Sequence, residues 1–204
     1  MNLTITGLRP LNVDHGLDQG VPIARFYIDR FLERLAPRIS GHVLEFGQPT
    51  YAARLSCRYD ILDVDGANRQ ATLVGDICDP RLPERVAARY DFVISTAVLQ
   101  LVADPQAAVR NLHALLRPGG VLIAAEKCVS KVDSWFGPID RWRFTPNGLR
   151  HLLAPFARVE VESFGNLYAI GAYLLGLPVS QVEADKLAHS DPEHPLVAAA
   201  YAEK

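Results

Sequence analysis

Residues Tyr90 to Glu126 read YDFVISTAVLQLVADPQAAVRNLHALLRPGGVLIAAE. Two short apolar runs, Phe92 to Ser95 and Val121 to Ala125, flank a segment in which Val109, Leu112 and Leu116 recur at three and four residues, so the spacing predicts strand, helix, strand. Asp104 is placed to accept from the free amides of the helix's first turn, and Pro105 lacks only an N–H that has no partner there. Arg117 suits the carbonyl end of the helix, and Pro118-Gly119-Gly120 stops it. Neither strand alternates polar with apolar residues. Both faces of each are therefore expected to be covered, as in a parallel sheet clothed by helices.

Upstream, His42 to Gly47 (HVLEFG) reads as the first core strand, and the turn Gly47-Gln48-Pro49-Thr50 falls at the edge where doubly wound sheets bind ligands. A dinucleotide site would carry G-x-G-x-x-G here. Only the first glycine is present and Pro49 removes an amide donor, which argues against NAD or FAD. Tyr51 to Arg58 is read as a short helical crossover, and Tyr59 to Asp65 as a second strand ending in acids. Alternation puts Asp63 and Asp65 on one face, where either carboxylate suits the two hydroxyls of a ribose, or both are solvated loop acids. Thr72-Leu73-Val74 makes a short edge strand leading into Gly75-Asp76-Ile77, where the acid suits an adenine amino group and the apolar residue a ring face; Asp76 equally suits a turn cap. Pro22 to Ile39 has helical spacing, with Ile28, Leu32, Leu35 and Ile39 on one stripe, either as a cap over a ligand site or as a core cover. Residues 1–20 read as an irregular leader or lid, with a short strand at Leu3 to Thr6.

Downstream, Lys127 to Thr145 shows no periodicity and holds both tryptophans, Trp135 and Trp142. A connection of this length after a core strand is expected to overhang the ligand edge. Its aromatic residues suit stacking on an acceptor and Arg141 and Arg143 suit an anionic group; alternatively, Trp142 and Phe144 plug the core and the charges pair with one another. Thr145 and Pro146 begin another helix, with Leu149, Leu152 and Leu153 as its apolar face, and Arg158 to Phe164 is a strand. The apolar LYAIGAYLLGL segment that follows is a buried helix or a subunit contact, which leaves a homodimer open. Ser180-x-x-Glu183 has the pattern of a capping box, and Leu196 to Ala202 reads as the last strand, antiparallel at the end of the sheet.

With 204 residues, 49% of them hydrophobic, the chain can bury one full α/β core, and a single domain 1–204 is expected. Within it, 1–40 form a leader and capping helix, 41–126 a cofactor-binding half and 127–204 an acceptor-side half. A net charge of −2 supplies no field for nucleic acid or an anionic membrane. Cys57, Cys78 and Cys128 are odd in number and never at C-x-x-C spacing, so reduced thiols and no metal site are expected. No basic-then-apolar segment opens the sequence and no uncharged apolar run reaches the ~18 residues of a membrane span, which predicts a cytoplasmic protein.

Taken in order, Glu45-Phe46-Gly47, the acids after strand two, Gly75-Asp76, YDFVIS and L-R-P-G-G resemble the class I S-adenosylmethionine-dependent methyltransferases over about residues 40–165. The stretch Asp140 to Leu149, DRWRFTPNGL, is similar to small bacterial methyltransferase-like proteins associated with sugar or natural-product assembly. The resemblance implies a Rossmann-like, seven-stranded, mostly parallel sheet with helices on both faces and an antiparallel last strand. It further implies S-adenosylmethionine as cofactor, with Glu45 and Gly47 under its methionine part, Asp63 or Asp65 on the ribose, Asp76 and Ile77 at the adenine, and Thr96 on the other side. Two departures stand out. Gln48, Pro49, Thr50 and Tyr51 replace the family's further glycines, and Gln100-Leu101 stands where many relatives carry Glu-His.

Methyl transfer needs an in-line arrangement and, for a protonated acceptor, a base. Glu126 at the end of strand five is the first candidate, followed by Asp140 and His151, with Trp135, Arg141, Trp142 and Arg143 as acceptor-binding residues. The expected activity is methyl transfer to a small molecule. Two rivals stand beside it: the same fold turned to another reaction on a natural product, and a non-catalytic protein partner.

Overall fold

The computed structural model describes residues 7–133 and 135–204; the strand expected at 3–6 lies outside them. Seven strands, β1 (His42–Phe46), β2 (Arg58–Asp63), β3 (Leu73–Val74), β4 (Tyr90–Thr96), β5 (Leu116–Lys127), β6 (Arg158–Phe164) and β7 (Val197–Glu203), form one sheet in the order β3-β2-β1-β4-β5-β7-β6. β7 runs antiparallel to both neighbours, while the pairs from β3 across to β5 are parallel. The helices are α1 (Ile23–Leu35), α2 (Leu82–Val86), α3 (Pro105–Leu115), α4 (Pro146–Leu152), α5 (Leu167–Leu175) and α6 (Ala184–Leu187).

Alternation along the strands divides the core between two helix layers. Val43, Ile94, Ile123 and Ala125 pack with α1, α5 and Leu187 of α6, whereas Leu44, Val93, Leu122 and Ala124 pack with α2, α3 and α4. Each fully buried leucine in these layers contributes about 1.5–3 kcal/mol of transfer free energy. The start of α3 is built as its sequence predicts: the Asp104 carboxylate accepts from the amides of Gln106 and Ala107, at 2.9 and 3.0 Å.

Three expectations are corrected. β7 lies inside the sheet, and β6 takes the edge. Ala198, Ala199, Ala200 and Ala202 are wholly buried and small enough for helices to close on both faces, while the alternating charges of Arg158, Glu160 and Glu162 in β6 need solvent on one side. The crossover after β1 contains only a single 3-10 turn, Ala52–Arg54, because residues 47–57 are too few for two loops and a helix; α1 and α5 cover that face instead. The capping box does not form: Glu183 occupies the N-cap of α6 without a side-chain cap bond and pairs with Lys186 at 3.0 Å.

Candidate active site

The carboxyl ends of β1, β2, β4 and β5 converge on one edge. Gly47, just beyond β1, has φ +70°, a conformation that L side chains adopt only with strain, and no atom lies within 4 Å of where a Cβ would stand. This leaves open space directly over the turn. Glu45 points beneath it. The buried carboxylate accepts from the amides of Ala52 (2.8 Å) and Tyr51 (3.1 Å), which fastens the glycine-poor turn, and burial outweighs these bonds to hold its pKa above the ordinary carboxylate value. The Tyr51 hydroxyl continues the fastening to Asp29 of α1 at 2.7 Å.

At the tip of β2 the structure separates the two acids. The half-buried Asp63 takes the Asn68 side-chain amide on one oxygen (2.6 Å) and the Asp65 N–H on the other (3.0 Å), and the same Asn68 amide donates to the Gly47 carbonyl at 2.6 Å. Asp65 is exposed, and its carboxylate accepts from the Ala67 amide at 2.8 Å. Asp63 is therefore the acid tied to the first turn. Beyond β3, Asp76 is exposed, gives one oxygen to the Cys78 amide at 2.8 Å and leaves the other to solvent, beside the buried Ile77. The Asn111 side chain of α3 props this loop from below through the carbonyls of Ile77 (2.7 Å) and Asp79 (2.9 Å). Thr96 ends β4, half-buried, ahead of Ala97 with φ +56°.

Beside this edge lies a cavity of about 430 Å³. Ala97 and Lys127, at the tips of β4 and β5, form its floor; α1 contributes Arg25 and Ile28, the leader His15, α5 Tyr173, and the loop after β5 Asp133 and Trp135. The His15 imidazole stacks on Tyr173 with ring centroids 4.6 Å apart and planes 4° apart. Burial, helped by Lys127 and Lys131, lowers its pKa to about 4, and its Nε2 is buried without a hydrogen-bond partner. Burial likewise lowers the pKa of Lys127.

Of the candidate bases, Glu126 is wholly buried and bonds to the amides of Leu99 (2.9 Å) and Gln100 (3.3 Å), holding the segment after β4; burial pushes its pKa up to about 8. Asp140 is clamped by Arg143 at 2.6 and 2.8 Å and accepts from the Asp133 amide. His151 is exposed on α4. None of the three lines the cavity. Among the expected acceptor residues Trp135 lines it, whereas Arg141 and Trp142 anchor on the carbonyls of Leu101 (2.7 Å) and Val102 (2.9 Å), and Arg143 bonds to Asp140 and to the carbonyls of Lys131 and Trp142. Sequence reading missed His15, Lys127, Asn68 and Asn111. Lys127 alone had a local signal: alternation sends it to the face opposite Glu126, toward α1 and α5.

A parallel sheet with an antiparallel penultimate strand in space, an open glycine turn, an acid at the tip of β2 and an acid-apolar pair beyond β3 define a class I S-adenosylmethionine-dependent methyltransferase. The chain belongs to the family described as methyltransferase domain, whose pattern matches residues 23–158. It is 27% identical over 144 residues to a non-reducing polyketide synthase of Penicillium shearii, a match that takes in 70% of this chain and only 6% of the synthase. Its fold is similar to a SAM-dependent methyltransferase from Archaeoglobus fulgidus (TM-score 0.59, 13% identity, 88% of this chain and 94% of the other). The citrinin polyketide synthase CMeT domain is similar too (TM-score 0.59, 15% identity, 93% and 55%). Among the described residues no helix is long and apolar enough to cross a membrane.

The residues fit the cofactor. Gly47 leaves unfilled space at the turn after β1, Asp63 and Asp76 keep acceptor capacity beyond the bonds they make, and Ile77 is the apolar residue beside Asp76.

Proposed function

We propose that the chain transfers the methyl group of S-adenosylmethionine to a small natural-product acceptor seated in the cavity above Ala97 and Lys127. The observation that carries this reading is the position of that cavity: it meets the strand-tip edge at Ala97, on the side away from Asp63 and Asp76. Its volume of about 430 Å³ falls in the range of small-molecule sites, roughly 300–1,000 Å³. Likeness to a polyketide synthase supports a polyketide-type acceptor over a sugar. When bound, S-adenosylmethionine supplies a methyl already activated on a sulfonium, so the protein's part is to orient and to manage a proton. Gly47 leaves room for the cofactor, Asp63 and Asp76 orient it, and the cavity walls hold the acceptor and exclude water.

The test is thermal unfolding with S-adenosylmethionine and its demethylated product. At a hundredfold its dissociation constant a ligand stabilises the native state by about 2.7 kcal/mol. A rise in melting temperature, lost in Asp76→Ala, supports the reading and leads to polyketide-like acceptors screened by mass gain of one methylene. No rise at millimolar ligand overturns it.

A further inference from the structure

The cavity holds two polar side chains that nothing else in the fold employs. His15 Nε2 is buried without a partner. Lys127 is 9% exposed, lines the same cavity, and its ammonium has no hydrogen bond or salt bridge among the described residues. An unsatisfied buried polar group costs about 1–3 kcal/mol, so the bare His15 Nε2 beside an unpaired lysine requires a reason.

The backbone shows that His15 is held there against strain. Among the described residues only His15, Ala87 and Ala97 are non-glycine residues with positive φ, and His15 (+57°) and Ala97 (+56°) both line this cavity. Strained conformations of this kind persist only where the surroundings enforce them. The enforcement is visible on both sides of the histidine. Asn12 takes the amides of Asp14 (2.7 Å) and Gly16 (3.2 Å) on its side-chain oxygen, the amides of Leu11 and Asn12 donate to the Leu175 carbonyl, and Lys131 donates to the Val13 carbonyl. Gly16 is wedged so closely on Gly176 and Pro178 that a Cβ would stand 2.8 Å from their backbone atoms.

Resting on the methyl-transfer reading, we infer that the acceptor carries an acidic enolic or phenolic hydroxyl, that His15 Nε2 removes its proton, and that Lys127 holds the resulting oxyanion. The O–H bond breaks, its proton goes to Nε2, and the electron pair stays on the acceptor. With S-adenosylmethionine bound, that electron pair would form the bond to the methyl carbon while the sulfur kept the pair of the methyl–sulfur bond, and His15 would pass the proton on to water.

Charge in the cavity agrees. Arg25, Lys127 and Lys131 face Asp14 and Asp133, one positive charge in excess, which favours an anion. The groups acting on His15 are Asp14 on its own segment, Lys127 on β5, and Lys131 and Asp133 on the loop after it, with the Tyr173 ring of α5 against its face. Burial and the two lysines keep the imidazole neutral at pH 7, ready to accept; an anion delivered beside it raises its affinity for the proton.

The probe is 4-nitrophenol, whose phenolate alone absorbs in the visible, titrated into the full-length chain without cofactor at a pH below the probe's own pKa. The bound probe is expected to be yellow, with its acidity constant increased by a factor of about ten or more. An indicator dye should show no net proton release from the wild type, because His15 keeps the proton, and about one proton per probe from His15→Asn. Lys127→Met, with Lys127→Gln as a second variant in case the first fails to fold, should bind only the neutral phenol. Colourless binding, absence of binding to the wild type, or equal proton release from wild type and His15→Asn would each overturn the proposal. Because no cofactor is present, a protein whose melting temperature responds to S-adenosylmethionine but which fails this test keeps the methyl-transfer reading and loses the His15–Lys127 pair.

Discussion

Glu126→Gln should change the pH dependence of stability more than stability at any one pH. The wild-type carboxyl is wholly buried on the amides of Leu99 and Gln100, and its pKa rises from an ordinary 4.5 to about 8. Between these values the native chain holds a proton that the unfolded chain has lost. The stability this group contributes is thus fully present below the unfolded pKa and falls as pH rises toward the folded one, at no more than about 1.4 kcal/mol per pH step of one. From pH 5 to pH 8 the accumulated loss is about 4 kcal/mol as an upper bound. Glutamine has the same shape and does not titrate, but its NH2 group faces the Gln100 N–H and costs about 1–3 kcal/mol at every pH. Urea unfolding of both proteins at pH 5 and pH 8 isolates the effect, because every other titrating group cancels in the difference. The variant should be the less stable at pH 5 and should draw level with or pass the wild type at pH 8. A gap that stays constant, or widens at pH 8, would mean that the amides hold an ionised carboxylate and would refute the reasoning.

Asn111→Ala removes both props under the Asp76–Ile77 loop and leaves two carbonyls short of a donor; a loss of about 2 kcal/mol in urea unfolding is expected, together with several-fold weaker binding of S-adenosylhomocysteine by calorimetry, and unchanged binding would show that the loop holds its shape without Asn111. Gly16→Ala forces a Cβ into φ +76° and into the backbone of Gly176 and Pro178, at a cost of at least about 1 kcal/mol. It should weaken 4-nitrophenol binding while leaving the cofactor-induced rise in melting temperature intact, since Asp14, His15 and Leu17 of the leader line the proposed acceptor cavity; equal loss of both would place the leader at the cofactor edge as well.

The β4-α3-β5 unit was legible because its signals are local: the Asp104-Pro105 start and the apolar runs Phe92 to Ser95 and Val121 to Ala125 each act within a few residues, whereas Leu116, read as helical, opens β5, and Pro118-Gly119-Gly120 lie within that strand. The placement of Gly47, Asp76 and Ile77 just beyond strand ends was legible for the same reason, since a turn after a parallel strand must fall at the sheet's carboxyl edge. Choosing between Asp63 and Asp65 was not, because both share a face and the decision lies with Asn68, whose amide bridges Asp63 to a carbonyl on the neighbouring strand's turn. Glu126 looked like a base from its position at a strand tip; only packing shows the carboxylate turned into the protein, with Lys127 facing the cavity.

The sequence by itself determined the class of sheet and which turns fall at its carboxyl edge, because strand burial, helix caps and glycine turns are set by neighbours along the chain. The tertiary structure alone decided where β7 inserts, how α1 and α5 stand in for a missing crossover helix, and which residues share the acceptor cavity. His15 and Lys127 are separated by more than a hundred residues, and no periodicity relates them. They meet because a strained leader, wedged at Gly16 against the end of α5, is folded over the tip of β5.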